Sequence, residues 1–227
     1  MGVGLGVNDV PIVGEPVAYG TAFIALLLVA FSRYVIGYPL TLAHEGGHML
    51  NNLLLLRGND GWTLADDATA GTSFKNSRGW LVKNIGNFVG YATPPLLGLA
   101  AAALIAMGNP WAVLLATIVL CVLAVGLSRN ALAFTVPALI VIGLTWLVLA
   151  GSGPLQAAFA AGISWVLLFG GLLETIRNLS GKTGDGEALV GRTWIPHAIW
   201  NLVWFLIAVI AVIVGAQLLL RPGYGIG

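Results

Sequence analysis

Charge is what this sequence most conspicuously lacks. Asp, Glu, Lys and Arg together make up 8% of 227 residues, and the 10 basic and 9 acidic side chains leave a net charge of +1. Soluble domains carry about 25% charged residues, so an ordinary water-facing surface is excluded. The few basic residues are dispersed along the chain, which excludes an electrostatic footprint for nucleic acid. Cysteine is nearly missing as well. Cys121 stands alone in an apolar run, so there is no internal disulfide and no cysteine-based metal cluster, and the residue reads as a small core side chain. Between the start Met and residue 16 there is no Lys or Arg, only Asp9 and Glu15. Without a positive n-region this stretch is not expected to be a cleaved signal peptide.

What the chain has instead is apolar length. Its residues are 58% hydrophobic and its mean hydropathy is +0.93, which describes a polytopic membrane protein. The expected fold class is an all-α polytopic membrane protein of about seven transmembrane helices, built as a single domain over 1–227. A span needs about 20 apolar residues. Segments 17–36, 84–107, 110–127, 131–150, 155–176 and 194–220 each supply enough or nearly enough. The remaining helix, 39–56, is short: Gly37-Tyr38-Pro39 reads as a turn, with Pro39 in the first turn of the new helix. Prolines 95 and 137 imply kinks that neighbouring helices must compensate.

Residues 57–83 break the apolar pattern. Asn59-Asp60-Gly61 and Ala70-Gly71-Thr72 are turn signals around stretches at 61–64 and 72–75 that read as short strands between the second and third helices, with a solvated interhelical loop as the plain alternative that periodicity alone allows equally. A second polar loop covers 177–193. With seven spans the loops at 57–83, at Arg129 and at 177–193 share a side with the N terminus, and every Lys and Arg except Arg33 and Arg221 falls there. The positive-inside bias places that side in the cytoplasm. Trp80, Trp194, Trp200 and Trp204 sit near helix starts, as interfacial anchors do.

Histidine is scarce, with 3 in the chain, yet two fall within five residues of each other in the apolar helix at 39–56: His44-Glu45-Gly46-Gly47-His48. Residues four apart share a helix face, so the two imidazoles can bind one zinc ion while Glu45 is positioned to take a proton from an attacking water. The plain alternative is a hydrogen-bonded pair of core histidines. Ionisable groups inside a membrane helix are costly, and that favours the functional reading. At about 1.5 Å per residue His44 lies roughly 20 Å from Arg57, deep in a hydrocarbon core about 30 Å thick.

A hydrolytic zinc site usually takes three protein ligands and keeps one position open. His197 is the remaining histidine, and the acids toward the cytoplasmic side are Asp60, Asp66, Asp67, Glu174, Asp185 and Glu187. Asp185 opens a short helix after Gly181-Lys182-Thr183-Gly184, so its local reading is an N-cap as much as a ligand.

The pentad on an apolar helix, the polar strand-forming segment and then Gly90-Tyr91-Ala92-Thr93-Pro94-Pro95 resemble the site-2 protease clan of intramembrane zinc metallopeptidases, in its small bacterial branch without a PDZ domain. The late Gly184-Asp185-Gly186-Glu187-Ala188-Leu189 resembles the clan's Ser-Asp-Ala segment, with Gly on each side of the Asp in place of Ser and Ala. The resemblance implies zinc held by His44, His48 and Asp185, with Glu187 or another acid as the substitute third ligand, and Glu45 as general base. It further implies a bacterial plasma-membrane location, a site opening toward the cytoplasm, a transmembrane protein or peptide as substrate, and a sheet edge that holds the substrate extended. Two rivals follow from the same residues: a metal-dependent enzyme acting on a lipid or other small molecule, and a non-proteolytic accessory or scaffold subunit of a membrane complex retaining the motif.

Overall fold

The computed structural model describes residues 15–75, 79–179, 181 and 183–220; Asp9, Arg78, Lys182 and the tail from Arg221 lie outside them. The chain forms α1 (Glu15–Phe31), α2 (Arg33–Leu54), β1 (Asn59–Leu64), β2 (Ala70–Phe74), α3 (Trp80–Ala106), α4 (Pro110–Gly126), α5 (Ala131–Ala150), α6 (Gly153–Arg177), α7 (Gly184–Thr193) and α8 (His197–Leu219). By length and composition α3, α5, α6 and α8 each qualify as membrane spans, and α1 with α2 forms a bent pair that makes a fifth. α4 is apolar but has 17 residues, about 26 Å at 1.5 Å per residue, just short of a hydrocarbon core. Seven separate spans are therefore not reached on this measure, although the all-α membrane class with a small sheet holds.

The break between the first two helices is not where the turn signal placed it. α2 starts at Arg33, with Ser32 as the break, and runs without interruption through Gly37-Tyr38-Pro39. The cause is tertiary. Tyr38 Oη donates to Asp66 O and Thr41 Oγ1 donates to Ala68 O, each at 2.8 Å, so this segment grips the turn of the β-hairpin from a helical conformation. Gly37 helps by approaching Ala68 closely: a Cβ at Gly37 would stand 3.3 Å from that of Ala68.

The expected strands pair antiparallel, with Trp62 opposite Thr72 and Leu64 opposite Ala70. Alternation along β1 turns Trp62 and Leu64 inward, where both are 1% exposed and pack with Leu42 and Met49 of α2, Cys121 and Ala124 of α4 and Ala133 of α5. Trp62 Nε1 donates to Ala124 O at 2.8 Å. The outer edge of β1 is closed by the α4–α5 connection: Trp62 N donates to Leu127 O and Arg129 N to Trp62 O. Asn130 caps α5 through Ala133 N, and its amide donates to Leu64 O at 2.8 Å. β2 has no such cover along its outer edge among the described residues.

α3 is the central helix and packs against α2, α6, α7 and α8. A second core of Ala102, Leu114, Ala160, Ala161, Trp165 and Leu168 joins it to α4 and α6. The polar loops gather at one end of the bundle. Asp60 of the hairpin meets Arg129 at 3.5 Å, and Trp80 Nε1 donates to Arg192 O at 3.0 Å.

Candidate metal centre

The α2 helix turns His44 and His48 toward α3 and Glu45 toward β2, and the approach of α2 and α3 depends on small residues. A Cβ at Gly47 would run into the Thr93 side chain. Gly86 and Gly90, four residues apart on α3, present bare backbone to α2, the small-xxx-small pattern that lets membrane helices close up. His48 uses that backbone. Its Nδ1 stands 2.8 Å from Gly86 O. A carbonyl can only accept, so Nδ1 carries the proton and Nε2 keeps its lone pair for a metal. His44 is fixed by the edge of Tyr91, ring centroids 4.6 Å apart and interplanar angle 86°.

Asp185 arrives on the short α7, which packs against α3. Its Oδ2 lies 3.1 Å from His44 Nε2 and 3.2 Å from His48 Nε2, and the two Nε2 atoms are 3.2 Å apart. These three residues form a group whose ligand atoms all lie within 4.8 Å of one another. The N-cap role that the sequence allowed for Asp185 belongs to Thr183, whose hydroxyl accepts from Gly186 N at 3.0 Å. Asp185 sits in the first turn with its carboxylate free to reach the imidazoles. Burial works to raise its pKa, but the hydrogen bonds and charge of His44 and His48 override it and hold the carboxyl at about 2.

Zinc fits this donor set. Two imidazole nitrogens and one carboxylate oxygen converge in a partly buried place, and one of the donors, His44, also lines a cavity. Gly90 supplies the room: a Cβ there would stand 2.5 Å from His44 Nε2 and 2.6 Å from His48 Nε2. The cavity is about 410 Å³ and reaches from His44 and Glu45 outward between the α1–α2 elbow, the hairpin turn and the end of α6. Glu45 is 5% exposed, and its Oε2 accepts from Thr72 Oγ1 of β2 at 2.6 Å.

The other candidates lie elsewhere. His197, at the start of α8, accepts the Thr183 N–H at Nε2, 3.1 Å away, so it braces α7 rather than joining the cluster. Glu187 is exposed and is not part of the group of ligand atoms. Asp60 pairs with Arg129 and Glu174 with Arg177. Thr72, Gly86, Thr183 and the bracing role of His197 were not singled out from sequence. The signal that could have found Gly86 is its spacing from Gly90, two small residues four apart in an apolar helix, whereas Thr72 carries no signal beyond the ordinary preference of Thr for strands.

The sequence model of one family, described as Peptidase M50B-like, matches residues 17–215, which includes the pentad, the hairpin and Asp185. No curated protein matches, and no solved structure matches.

Proposed function

This chain belongs to the Peptidase M50B-like family, the family of the site-2 proteases, and from that premise we propose that it is an intramembrane zinc metalloprotease cutting membrane-spanning substrates. One observation carries the reading: His44, His48 and Asp185, 141 residues apart in sequence at the extremes, bring their ligand atoms together next to a cavity lined by His44 and Glu45.

Zinc bound to these three residues would polarise a peptide carbonyl and acidify an attacking water. Glu45 acts as the general base. Its Oε2 is occupied by Thr72, which leaves Oε1 to take the water proton and then deliver it to the leaving nitrogen as the C–N bond breaks, giving a carboxylate and an amine. His48 is kept in the Nε2-ligating tautomer by Gly86 O, and Asp185 supplies the negative charge that a divalent cation needs.

A peptide bond inside a helix is shielded by its own turns, so the substrate must be extended to be cut. The outer edge of β2, which pairs with no other strand among the described residues and lies beside the cavity, suits an extended segment that adds as a strand. The polar end of the bundle, which carries Arg57, Lys75, Lys83, Arg129, Arg177 and Arg192, faces the cytoplasm by the positive-inside bias, and the site opens toward it. The test is cleavage by the purified protein of a fluorogenic peptide bearing one apolar membrane-spanning segment. Wild type cuts it and Glu45→Gln does not. Equal cleavage by both would remove Glu45 as base, and zinc binding without any peptide cleavage would favour the scaffold or lipid-enzyme alternative.

A further inference from the structure

Thr72 meets the site twice. Its hydroxyl donates to Glu45 Oε2 at 2.6 Å, and its backbone belongs to the strand whose outer edge pairs with no other strand among the described residues. The direction of that backbone follows from its partner. Trp62, opposite Thr72 in the ladder, spends its N–H on Leu127 O and its C=O on Arg129 N, both on the side away from β2. In an antiparallel pair, residues directly opposite point their N–H and C=O groups either toward each other or both apart. Thr72 therefore projects its own N–H and C=O away from β1, onto the open edge.

We propose that Thr72 is a positioning residue that couples the sheet to the general base: its side chain orients Glu45 while its main chain lies on the edge that receives substrate. The inference rests on the protease reading above and adds to it a residue with a defined task. Glu45 has two carboxylate oxygens and a rotatable side chain. The Thr72 hydroxyl ties one oxygen down and so aims the other at the reacting centre.

The hairpin is well placed to hold that hydroxyl still. β1 is sealed to the α4–α5 connection by Trp62 and Asn130, and the hairpin turn is gripped by Tyr38 and Thr41 of α2, the helix that carries Glu45. A strand added at Thr72 would be in register with the base by construction. The side chain and the backbone of one residue fix both distances.

The test compares wild type, Thr72→Val, Thr72→Ser and Glu45→Gln, each assayed for bound zinc and for cleavage of the same fluorogenic membrane-spanning peptide. Val keeps the shape and the backbone but removes the donor. Thr72→Val is expected to lower kcat about ten- to a hundredfold with KM within about twofold of wild type, as loss of a charge-assisted hydrogen bond at a catalytic group should. Thr72→Ser, which keeps the hydroxyl, stays within about threefold of wild type. Zinc content is the same in all four. Wild-type kcat in Thr72→Val, beside an inactive Glu45→Gln, overturns the inference and leaves the protease reading standing. A Ser variant as poor as Val, or a Val variant that has lost zinc, also overturns it, because the role would then be packing. If Glu45→Gln cleaves normally, the protease mechanism itself fails.

Discussion

Gly90 stands against the tips of both imidazoles: a Cβ on it would come 2.5 Å from His44 Nε2 and 2.6 Å from His48 Nε2. The space where a cation would sit exists because α3 has no side chain there. Gly90→Ala should consequently abolish zinc binding, or reduce it at least about tenfold in equilibrium dialysis, while leaving helix content intact. Gly46→Ala is the matched control. Nothing lies within 4 Å of a Cβ at Gly46, so that variant keeps its zinc and gains roughly 0.5–1 kcal/mol of helix stability.

Asp185, the proposed third ligand, is carried by a short helix whose first turn is held by Thr183 and His197. Thr183→Ala removes the cap to Gly186 N and should cost about 1 kcal/mol of local stability. In zinc competition with a chelator it should appear as a threefold to tenfold weaker affinity, restored by Thr183→Ser. An unchanged affinity would mean that α7 holds Asp185 in place without its cap.

Zinc ligands must be deprotonated to bind, so acid competes with the metal for the group of His44, His48 and Asp185, and metal retention should be full near pH 8 and fall as pH is lowered toward about 5. Zinc content after dialysis across that range checks it.

Trp62 ties the hairpin to the bundle. It is 1% exposed, and its indole N–H reaches Ala124 O. Trp62→Ala should destabilise the folded protein by about 3–5 kcal/mol in a denaturant or thermal melt, the range for a buried aromatic replaced by Ala. Trp146, 64% exposed on α5, should tolerate the same change within about 1 kcal/mol.

Much of this was legible because membranes make sequence explicit. Lipid forbids scattered charge, so apolar length marks the helices, and one His-Glu-x-x-His pentad inside such a length is conspicuous. The short strands read at 61–64 and 72–75 formed as Asn59–Leu64 and Ala70–Phe74, but the triplets at 59–61 and 70–72 read as turns lie inside them, and the chain turns at 65–69 instead. The misread features are set by contacts distant in sequence. Gly37-Tyr38-Pro39 has every mark of a turn, yet Tyr38 and Thr41 bind the hairpin, whose backbone oxygens are 27 and 28 residues away, and the segment stays helical. Asp185 has every mark of an N-cap, yet Thr183, two residues earlier, takes that role and releases it. Thr72 touches Glu45 across 27 residues of sequence, and no local pattern announces such a bond.

The claim on which the rest depends is that His44, His48 and Asp185 hold one zinc ion. Metal analysis of the purified protein beside His44→Ala, Asp185→Ala and Glu187→Ala tests it without any substrate. The account predicts about one zinc per chain in wild type and in Glu187→Ala, none in His44→Ala, and a loss of at least about tenfold in affinity for Asp185→Ala. Zinc-free wild type, or an Asp185→Ala protein that binds zinc as wild type does, would contradict it.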